Sequence, residues 1–336
     1  MLHASDFTPQ SLCDFLRREY ALEPDSVSPI PRGSACLYLA VCRDKRRFVV
    51  KEYQRNYDPH GVHQETQLCA FLEGRGISAT RFIPARAGET VREHQGRLVT
   101  VQEYFEGKSP ETHSAAPWLL EASARMLGEL HRILRDYPPM REEFAPAWAA
   151  PVHIPAKRQE YRALIAKAER LEDPRAGRIA ADLRFRLEGL DWLAAQPNVT
   201  DGLTYANTHG DYSIVQLLTR GDKIVAVLDF AGACRLPAVW EVIRSYSLAD
   251  PVCTDGTLVP ARLRTYLDTY ETVFPLSAAD RRNMRRFYAA QLLRSSYGYK
   301  QFFDPAVADR EALLHFGFWR TDFLRALLTQ AGGDLT

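Results

Sequence analysis

Two aspartates flank a short β-rich segment in the middle of the chain. Asp211 closes the run His209-Gly210-Asp211, and Asp229 comes at the end of the apolar run 224–228. A polar turn lies between them, which predicts one carboxylate on a tight loop and a second at the end of a strand. An alcohol that attacks a phosphate must be oriented, and a triphosphate must be neutralised by Mg²⁺ on oxygen ligands. The pair therefore points to phosphoryl transfer, with Asp211 facing the hydroxyl and Asp229 the metal.

The elements that must position these aspartates begin with a mainly β segment. Residues 35–53 alternate in polarity around a charged turn, which predicts a β-hairpin. Residues 63–75 carry apolar side chains at helical spacing and end before Gly76, so they are predicted to form a helix. The other predictions here are a helix over residues 12–20, a break in the proline-rich stretch 24–31 and a strand over residues 97–104.

Beyond Gly107 the apolar residues recur with a period of about 3.6, which indicates helices. Helices are predicted around residues 117–134, 157–171, 176–195, 261–273, 280–297 and 310–328, with a small two-stranded island within residues 204–230. With 336 residues, the chain has room for two packed lobes. We predict an α+β fold, with a β-rich N-terminal lobe over residues 1–105 that holds one prominent helix and a mainly helical C-terminal lobe over residues 106–336.

Composition excludes several classes of protein. The 43 lysines and arginines nearly balance the 42 aspartates and glutamates, so we expect neither nucleic acid nor a membrane surface as a partner. The N-terminal residues mix charged and apolar side chains, and no long uncharged apolar run follows. This pattern favours a cytoplasmic protein without a signal peptide or a membrane-spanning helix. The six cysteines are scattered, which is typical of reduced thiols.

The motif around Asp211 resembles a known family. His209-Gly210-Asp211 through Gln216, followed by Leu228-Asp229-Phe230, looks like the catalytic and metal-binding loops of the aminoglycoside phosphotransferase and homoserine or choline kinase superfamily. The resemblance implies a two-lobed protein-kinase-like fold with ATP and Mg²⁺ as cofactors. It also implies that Asp211 is the catalytic residue and that Asp229 and Gln216 hold the metal.

The resemblance extends over roughly residues 27–330. Lys51 at the end of a strand and Glu65 in the following helix resemble the family's ATP-phosphate lysine and its ion-pair partner. Gly33 and Ser34 resemble the phosphate-covering loop, and the segment with Gln102 and Tyr104 resembles the adenine-contacting hinge. By this resemblance the first lobe binds the nucleotide, and the second lobe carries catalysis and the acceptor.

Each of these residues also has an ordinary structural interpretation. Asp211 and Asp229 could cap turns, and Lys51 with Glu65 could be a surface ion pair. His209 is interpreted as a structural histidine that hydrogen bonds the catalytic loop, and we expect His131 to belong to the core. The aromatic residues near the C-terminus fit either the core or a substrate pocket and are given no specific function. The joint order of strand lysine, helix glutamate, His-Gly-Asp and strand-end Asp-Phe favours the catalytic interpretation.

Two departures from the family pattern leave an alternative open. Gln216 stands where the family has asparagine, which places the amide oxygen one methylene farther out, and the predicted nucleotide loop has few glycines besides Gly33. Mg²⁺ tolerates little deviation from octahedral geometry. The alternative is therefore a nucleotide-binding pseudokinase or regulatory protein. A protein kinase is disfavoured, because few residues separate Asp229 from the helix at Trp240 and no Ala-Pro-Glu motif follows.

The predicted reaction is transfer of the ATP γ-phosphate to a hydroxyl of a small molecule, such as an amino alcohol, a sugar or an antibiotic-like acceptor. Residues 258–336 contain 11 basic and 8 acidic residues, which disfavours a polycationic acceptor. A neutral or zwitterionic metabolite fits this charge balance better. A monomer is the default expectation, and the composition is equally compatible with a dimer.

Overall fold

The computed structural model describes residues 5–31, 35–55, 57–140, 153–196 and 199–329. The chain divides into two compact units. The first consists of Met1–Ser109 together with Gln216–Ala233, and the second consists of Pro110–Val215 together with Cys234–Thr336. The boundary that we predict at residue 105 stays a prediction about where the functional lobes divide.

The first unit is built on an antiparallel sheet. Its strands are β1 (Pro24–Ile30), β2 (Cys36–Cys42), β3 (Arg47–Glu52), β4 (Phe82–Ile83), β5 (Val91–His94) and β6 (Arg97–Glu103). They are ordered β1-β2-β3-β6-β4, and β5 also pairs with β6. The predicted hairpin is β2–β3, in which Leu37 lies opposite Lys51. The predicted strand over residues 97–104 is β6.

The prediction that the proline-rich stretch breaks the chain was wrong, because residues Pro24–Ile30 form β1. β1 pairs with β2 alone at the edge of the sheet. An edge strand leaves every second backbone position without a ladder hydrogen bond, so Pro24 and Pro29 fit there without loss of an N–H donor.

The described part of the first unit contains two α-helices, α1 (Pro9–Tyr20) and α2 (Pro59–Glu73). Thr8 and Ser11 form a reciprocal cap at the start of α1, and its apolar side chains join the core that includes Phe48 and Val50 of β3. Asp58 caps α2 through the backbone N–H of His60. These caps satisfy first-turn donors that would otherwise lack partners.

A second hairpin completes the first unit. It consists of β8 (Leu217–Thr219) and β9 (Ile224–Val227), which pair antiparallel. The backbone N–H of Val227 donates to the carbonyl oxygen of Ser78 over 2.9 Å, and Lys108 and Thr219 exchange backbone hydrogen bonds. The hairpin that leads to Asp229 is thereby tied to residues of the first unit.

The second unit is mainly helical, as the sequence predicts. Its helices are α3 (Pro117–Ile133), α4 (Ile154–Glu169), α5 (Ala176–Ala194), α6 (Ala238–Ala249), α7 (Pro260–Glu271), α8 (Ala278–Arg294), α9 (Tyr299–Phe302) and α10 (Arg310–Thr329). Strands β7 (Tyr205–Thr208) and β10 (Cys234–Pro237) pair antiparallel. The described helices include none that combines the length and the apolar character needed to cross a bilayer.

Candidate active site

Lys51 is the centre of a buried charge cluster in the first unit. Its side chain on β3 is only 8% exposed. The Nζ atom lies 3.2 Å from Oε1 of Glu65 on α2 and 2.8 Å from Oδ1 of Asp229. The predicted phosphate lysine, its predicted partner and the predicted metal ligand are therefore in direct contact.

The local sequence explains why these charges meet inside the protein. Side chains alternate along β3, so Lys51 points away from the face on which Phe48 and Val50 join the core with α1. Tyr53, two residues on, lies on the same side as Lys51, and its hydroxyl donates to Oε2 of Glu65 over 2.7 Å. Glu65 thus accepts from a phenol as well as from the ammonium group.

The electrostatics of the cluster keep Lys51 charged. Burial by itself would lower the pKa of Lys51, but the negative charges of Glu65 and Asp229 and the phenol of Tyr53 outweigh it and hold the pKa well above its ordinary value. A buried ammonium held in this way presents a fixed positive charge. Such a charge suits the binding of a phosphate group.

Asp229 occupies an unusual backbone conformation two residues after the end of β9. Its φ is 61°, in the left-handed region, and its side chain is 37% exposed. Because β8 and β9 are antiparallel, Gln216 before β8 and Leu228 after β9 lie at the same end of the hairpin. The backbone N–H of Leu228 donates to the carbonyl oxygen of Gln216 over 2.8 Å. A non-glycine residue in this region is uncommon and costs conformational free energy, so its occurrence at Asp229 motivates a functional hypothesis.

The donor set at this end of the hairpin fits a hard divalent cation. Asp229 offers a carboxylate and Gln216 an amide oxygen, which are ligands that Mg²⁺ accepts. The described residues contain no group of three or more His, Cys, Asp or Glu side chains that could hold a metal alone. Mg²⁺ commonly uses one or two protein oxygens together with water and substrate phosphates, so a sparse set is compatible with it.

Asp211 lies in the second unit, in the loop after β7. Its side chain is 48% exposed, and its Oδ1 atom accepts from Nη2 of Arg244 on α6 over 2.5 Å. Arg244 also donates from Nη1 to the carbonyl oxygen of Tyr212 over 3.0 Å. One guanidinium therefore fixes both the carboxylate and the backbone next to it.

A buried glutamate holds the loop around Asp211. Oε2 of Glu241 accepts from the backbone N–H of His209 over 3.1 Å and contacts Nε2 of His131 at 3.0 Å. Its Oε1 atom accepts from the backbone N–H of Tyr212 over 3.3 Å. Burial would raise the pKa of Glu241, but His131, His209 and the Tyr212 N–H lower it below its ordinary value. One carboxylate thus accepts hydrogen bonds from the loop backbone on both sides of Asp211.

The two histidines lie where the sequence predicts. His209 and His131 are both fully buried. The Nδ1 atom of His209 accepts from the backbone N–H of Asp211 over 3.3 Å, and Nδ1 of His131 contacts the hydroxyl of Tyr270 at 2.7 Å. Both rings shape the loop and the core around it.

Of the residues predicted for the nucleotide loop and the hinge, those within the described ranges are not part of the hydrogen-bonded clusters above. Gly33 and Ser34 lie outside the described residues. Gln102 is on β6, and its side-chain amide donates to Oγ1 of Thr100 over 3.4 Å. Tyr104 follows that strand, and the guanidinium of Arg47 stacks 4.3 Å from its ring centroid. Roles in nucleotide binding for these residues stay predictions.

Sequence reasoning did not single out Glu241 or Arg244. Both belong to α6, and the start of this helix is strongly apolar. A glutamate within an apolar run is a usable signal, since a buried carboxylate requires donors. An arginine one turn later carries no such signal, because most helix arginines are exposed.

Comparisons with known proteins bear on the family and the fold of the chain. Residues 27–282 match the sequence profile described as the phosphotransferase enzyme family, which covers more than half of the chain. The chain belongs to this family. That membership confirms the resemblance predicted from the sequence, and phosphotransferase is the enzyme class that the family's description names.

One curated relative is a homoserine kinase from Methylobacterium radiotolerans, which is 27% identical over 217 residues. The matched region is 63% of this chain and spans 60% of the length of that relative. Among solved structures, a spectinomycin phosphotransferase in complex with ADP and spectinomycin has a TM-score of 0.67 at 11% identity, with 96% of this chain and 98% of that chain covered. A microcompartment-associated aminopropanol kinase has a TM-score of 0.62 at 14% identity, with 97% and 99% covered. These similarities confirm the predicted protein-kinase-like fold.

Proposed function

We propose that this protein is an ATP- and Mg²⁺-dependent phosphotransferase that transfers the γ-phosphate to a hydroxyl of a small molecule. The observation that carries the proposal is the contact of Lys51 with both Glu65 and Asp229. A buried lysine held between two carboxylates offers a fixed positive charge beside a candidate metal ligand. That combination is what a metal–triphosphate complex requires.

In this proposal Lys51 binds the nucleotide phosphates. Glu65, fully buried and bonded to Tyr53, keeps the lysine in place. The carboxylate of Asp229 and the amide of Gln216 would hold Mg²⁺, with water and phosphate oxygens as the other ligands. When bound, the ion neutralises charge that develops on the transferred phosphate. Gly33, Ser34, Gln102 and Tyr104 are assigned to the nucleotide loop and hinge by the family resemblance.

Asp211 is proposed as the catalytic residue that orients the acceptor hydroxyl. Its half-exposed carboxylate has one oxygen on Arg244, and this contact fixes the direction of the other. A hydroxyl that donates to this carboxylate is aligned for attack, and its proton can pass to Asp211 as the new O–P bond forms. Alignment of this kind, rather than strong basicity, supplies most of the catalysis in phosphoryl transfer.

The acceptor is proposed to be a hydroxyl-bearing small molecule. The names of the relatives, homoserine kinase and aminopropanol kinase, support an amino acid-like or amino alcohol acceptor. An antibiotic acceptor has the support of the spectinomycin phosphotransferase. All three acceptors carry a free hydroxyl group, which is the common requirement of the proposed reaction.

The test combines nucleotide binding with product formation. Thermal stabilisation by ATP is measured with and without Mg²⁺ for the wild type, Asp229→Asn and Asp222→Asn, and ADP release is measured with pooled hydroxyl metabolites. Asp222 is the matched control, since it is an exposed aspartate in the turn of the same hairpin. We expect Mg²⁺-dependent stabilisation in the wild type and the control, its loss in Asp229→Asn, and ADP release with at least one pool.

Two other outcomes are informative. Stabilisation by Mg²⁺-ATP without ADP release from any pool would favour the pseudokinase, for which Gln216 in place of asparagine is the motivating observation. Absence of stabilisation by ATP would contradict the assignment of Lys51 and Asp229.

A further inference from the structure

The end of β3 is held from the side of the sheet opposite to Lys51. Side chains alternate along a strand, so Lys51 and Tyr53 lie on one face and Glu52 lies on the other. Glu52 is the last residue of β3 and pairs with Cys36 of β2 and Val99 of β6. The pairing of β3 with both neighbours thus ends one position after Lys51. The end of a strand is where local opening costs least, so the position of Lys51 depends on what else holds Glu52.

Glu52 belongs to a charge cluster in the first unit together with Asp6, Arg55 and Arg97. The side chains of Glu52 and Arg97 are 0% and 2% exposed, and Oε1 of Glu52 lies 3.6 Å from Nη1 of Arg97. Oδ2 of Asp6 is closer, at 3.0 Å from Nε of Arg97, and it also lies 2.6 Å from Nη2 of Arg55. The formal charges of these two carboxylates and two guanidinium groups balance. This balance offsets the cost of burying the charges of Glu52 and Arg97.

The N-terminal segment, residues 5–7, completes this cluster. The backbone N–H of Asp6 donates to Oε1 of Glu52 over 3.0 Å. Phe7 is buried, and its ring stacks on His94 of β5 with 4.1 Å between the ring centroids. An apolar anchor thus holds the segment at the place where its backbone meets the end of β3.

The contacts of Glu52 depend on this segment. Oε2 of Glu52 is buried and makes no hydrogen bond within the described part of the chain, and Oε1 accepts from Asp6. A buried carboxylate with few donors keeps its place only while its ion pair and its donor both hold. Without the charge of Asp6 the segment loses its ion pairs, and the donor to Glu52 is released with it. Glu52 would then move toward water and displace the backbone beside Lys51.

The two chain neighbours of Glu52 carry contacts of the cluster around Lys51. Nζ of Lys51 lies 3.2 Å from Oε1 of Glu65 and 2.8 Å from Oδ1 of Asp229. The hydroxyl of Tyr53 donates to the same glutamate over 2.7 Å. A shift of the backbone at Glu52 would change all three contacts, because it lies between the two residues that make them. Misplacement of a binding group by about 1 Å is enough to weaken its interaction strongly.

We propose that Asp6 is a positioning residue for Lys51. It holds Glu52 and Arg97 behind β3, and it thereby sets where the ammonium group of Lys51 meets the nucleotide phosphates. The inference rests on the proposed function, in which Lys51 binds those phosphates. Asp6 contacts the face of the sheet opposite to Lys51, so it acts through the strand and not by touching the nucleotide. Its removal should weaken binding of the phosphates and leave binding of the nucleoside portion unchanged.

The experiment compares a ligand that has phosphates with one that has none. The full chain is titrated by calorimetry with ADP and with adenosine in the presence of Mg²⁺, and the readout is the Kd for adenosine divided by the Kd for ADP. The test variants are Asp6→Asn and Glu52→Gln, which keep the shape of the side chain and remove one charge. Lys51→Met is the reference for complete loss of the lysine–phosphate contact.

Two controls separate positioning from general effects of mutation. Asp14→Asn removes an exposed carboxylate of α1 that pairs with Arg17 at 3.0 Å. Leu22→Ala removes a buried side chain of the core that α1 shares with β3. Leu22 lies near the far end of β2, since Pro24 pairs with Cys42 there. Melting temperatures are measured for every variant, and Leu22→Ala should lower the melting temperature without affecting the ratio.

We expect Lys51→Met to lower the ratio about tenfold or more, the loss typical of one hydrogen bond between charged groups. Asp6→Asn and Glu52→Gln should lower it about three- to tenfold, because the lysine remains but is misplaced. Asp14→Asn and Leu22→Ala should leave it within about twofold of the wild type. In a chain that already carries Lys51→Met, Asp6→Asn should change the ratio by less than about twofold, because the positioned group is gone.

An unchanged ratio in Asp6→Asn, or a fall of equal size in Leu22→Ala, would overturn the inference. A further fall when Asp6→Asn is added to Lys51→Met would also overturn it, because Asp6 would then act independently of the lysine. Asp6→Asn decides the matter alone if Glu52→Gln does not fold, since the Asp6 side chain is 19% exposed. Failure of the proposed function is distinct. Equal binding of ADP and adenosine by the wild type, or a wild-type ratio in Lys51→Met, would refute the phosphate-binding assignment of Lys51 itself.

Discussion

Replacement of Glu241 by glutamine tests how the fold positions Asp211. The wild-type carboxylate is fully buried and accepts from the backbone N–H groups of His209 and Tyr212 while it contacts His131. A glutamine of the same shape has one acceptor oxygen, so its NH₂ group must face at least one of these donors. Loss of one hydrogen bond to a charged acceptor costs about 1.5–3 kcal/mol.

If that energy holds the loop in its reactive geometry, kcat should fall by about 10- to 100-fold, since about 1.4 kcal/mol corresponds to a factor of ten. The Kd for Mg²⁺-ATP should change less than about twofold, because Glu241 is not among the described partners of Lys51. The assay is steady-state ADP release with a saturating acceptor, alongside calorimetric binding of Mg²⁺-ATP. The control is Asp250→Asn, which disturbs another fully buried carboxylate, bonded to Arg262 by two contacts of 2.7 Å.

Asp250→Asn should lower the melting temperature and leave kcat close to the wild-type value. A Glu241→Gln variant with wild-type kcat would refute the positioning role. A kcat loss that is matched by Asp250→Asn would show that general destabilisation, rather than the loop, is responsible.

Three further predictions follow from single contacts. Gly298 has φ +96°, and a Cβ there would lie 2.5 Å from the carbonyl oxygen of Leu313. Gly298→Ala should therefore lower the free energy of unfolding, measured with denaturant, by about 2–4 kcal/mol. The control is Gly61→Ala in α2, where a Cβ meets nothing within 4 Å, and it should have no such cost. Because the pKa of Glu241 lies below its ordinary value of 4.5, the stability from its ionisation is fully present above about pH 4.5 and is lost as the pH falls through the lowered pKa. The difference in melting temperature between the wild type and Glu241→Gln should therefore shrink below pH 4.5, and a constant difference would contradict the assignment. Gln216→Asn should retain Mg²⁺-dependent turnover, whereas Gln216→Ala should raise the Mg²⁺ concentration for half-maximal rate by about tenfold or more, and equal rates in both variants would exclude Gln216 as a ligand.

The helices and the β2–β3 hairpin could be predicted from the sequence because their signals are local. Apolar periodicity, caps and turns are encoded within 10 to 20 neighbouring residues, as in α3 and α10. Strand β1 was missed because its prolines are tolerated only at a sheet edge, and edge position is decided by residues far along the chain. The β8–β9 hairpin was predicted, but its attachment to the first unit was not. That attachment depends on Ser78 and Lys108, which are far from the hairpin along the chain.

For the candidate site, residue types were predictable and contacts were not. The order of Lys51, Glu65, Asp211 and Asp229 along the chain suggested their chemistry. The contact of Lys51 with Asp229 could not be predicted, because these residues are 178 positions apart. Arg244 reaches Asp211 over 33 positions. An arginine or a buried glutamate reveals its function only through the partner it meets, and tertiary packing decides that partner.

The central claim is the proposed one, that Asp211 orients the acceptor for transfer of the γ-phosphate and that Lys51 and Asp229 bind the nucleotide with its metal. The most direct measurement is transfer of labelled γ-phosphate from ATP to the acceptor by Asp211→Asn, with the Kd for Mg²⁺-ATP determined on the same preparation. We predict a loss of transfer of at least about 1,000-fold with the Kd unchanged within about twofold. Transfer at a rate near that of the wild type, with nucleotide binding intact, would contradict the account.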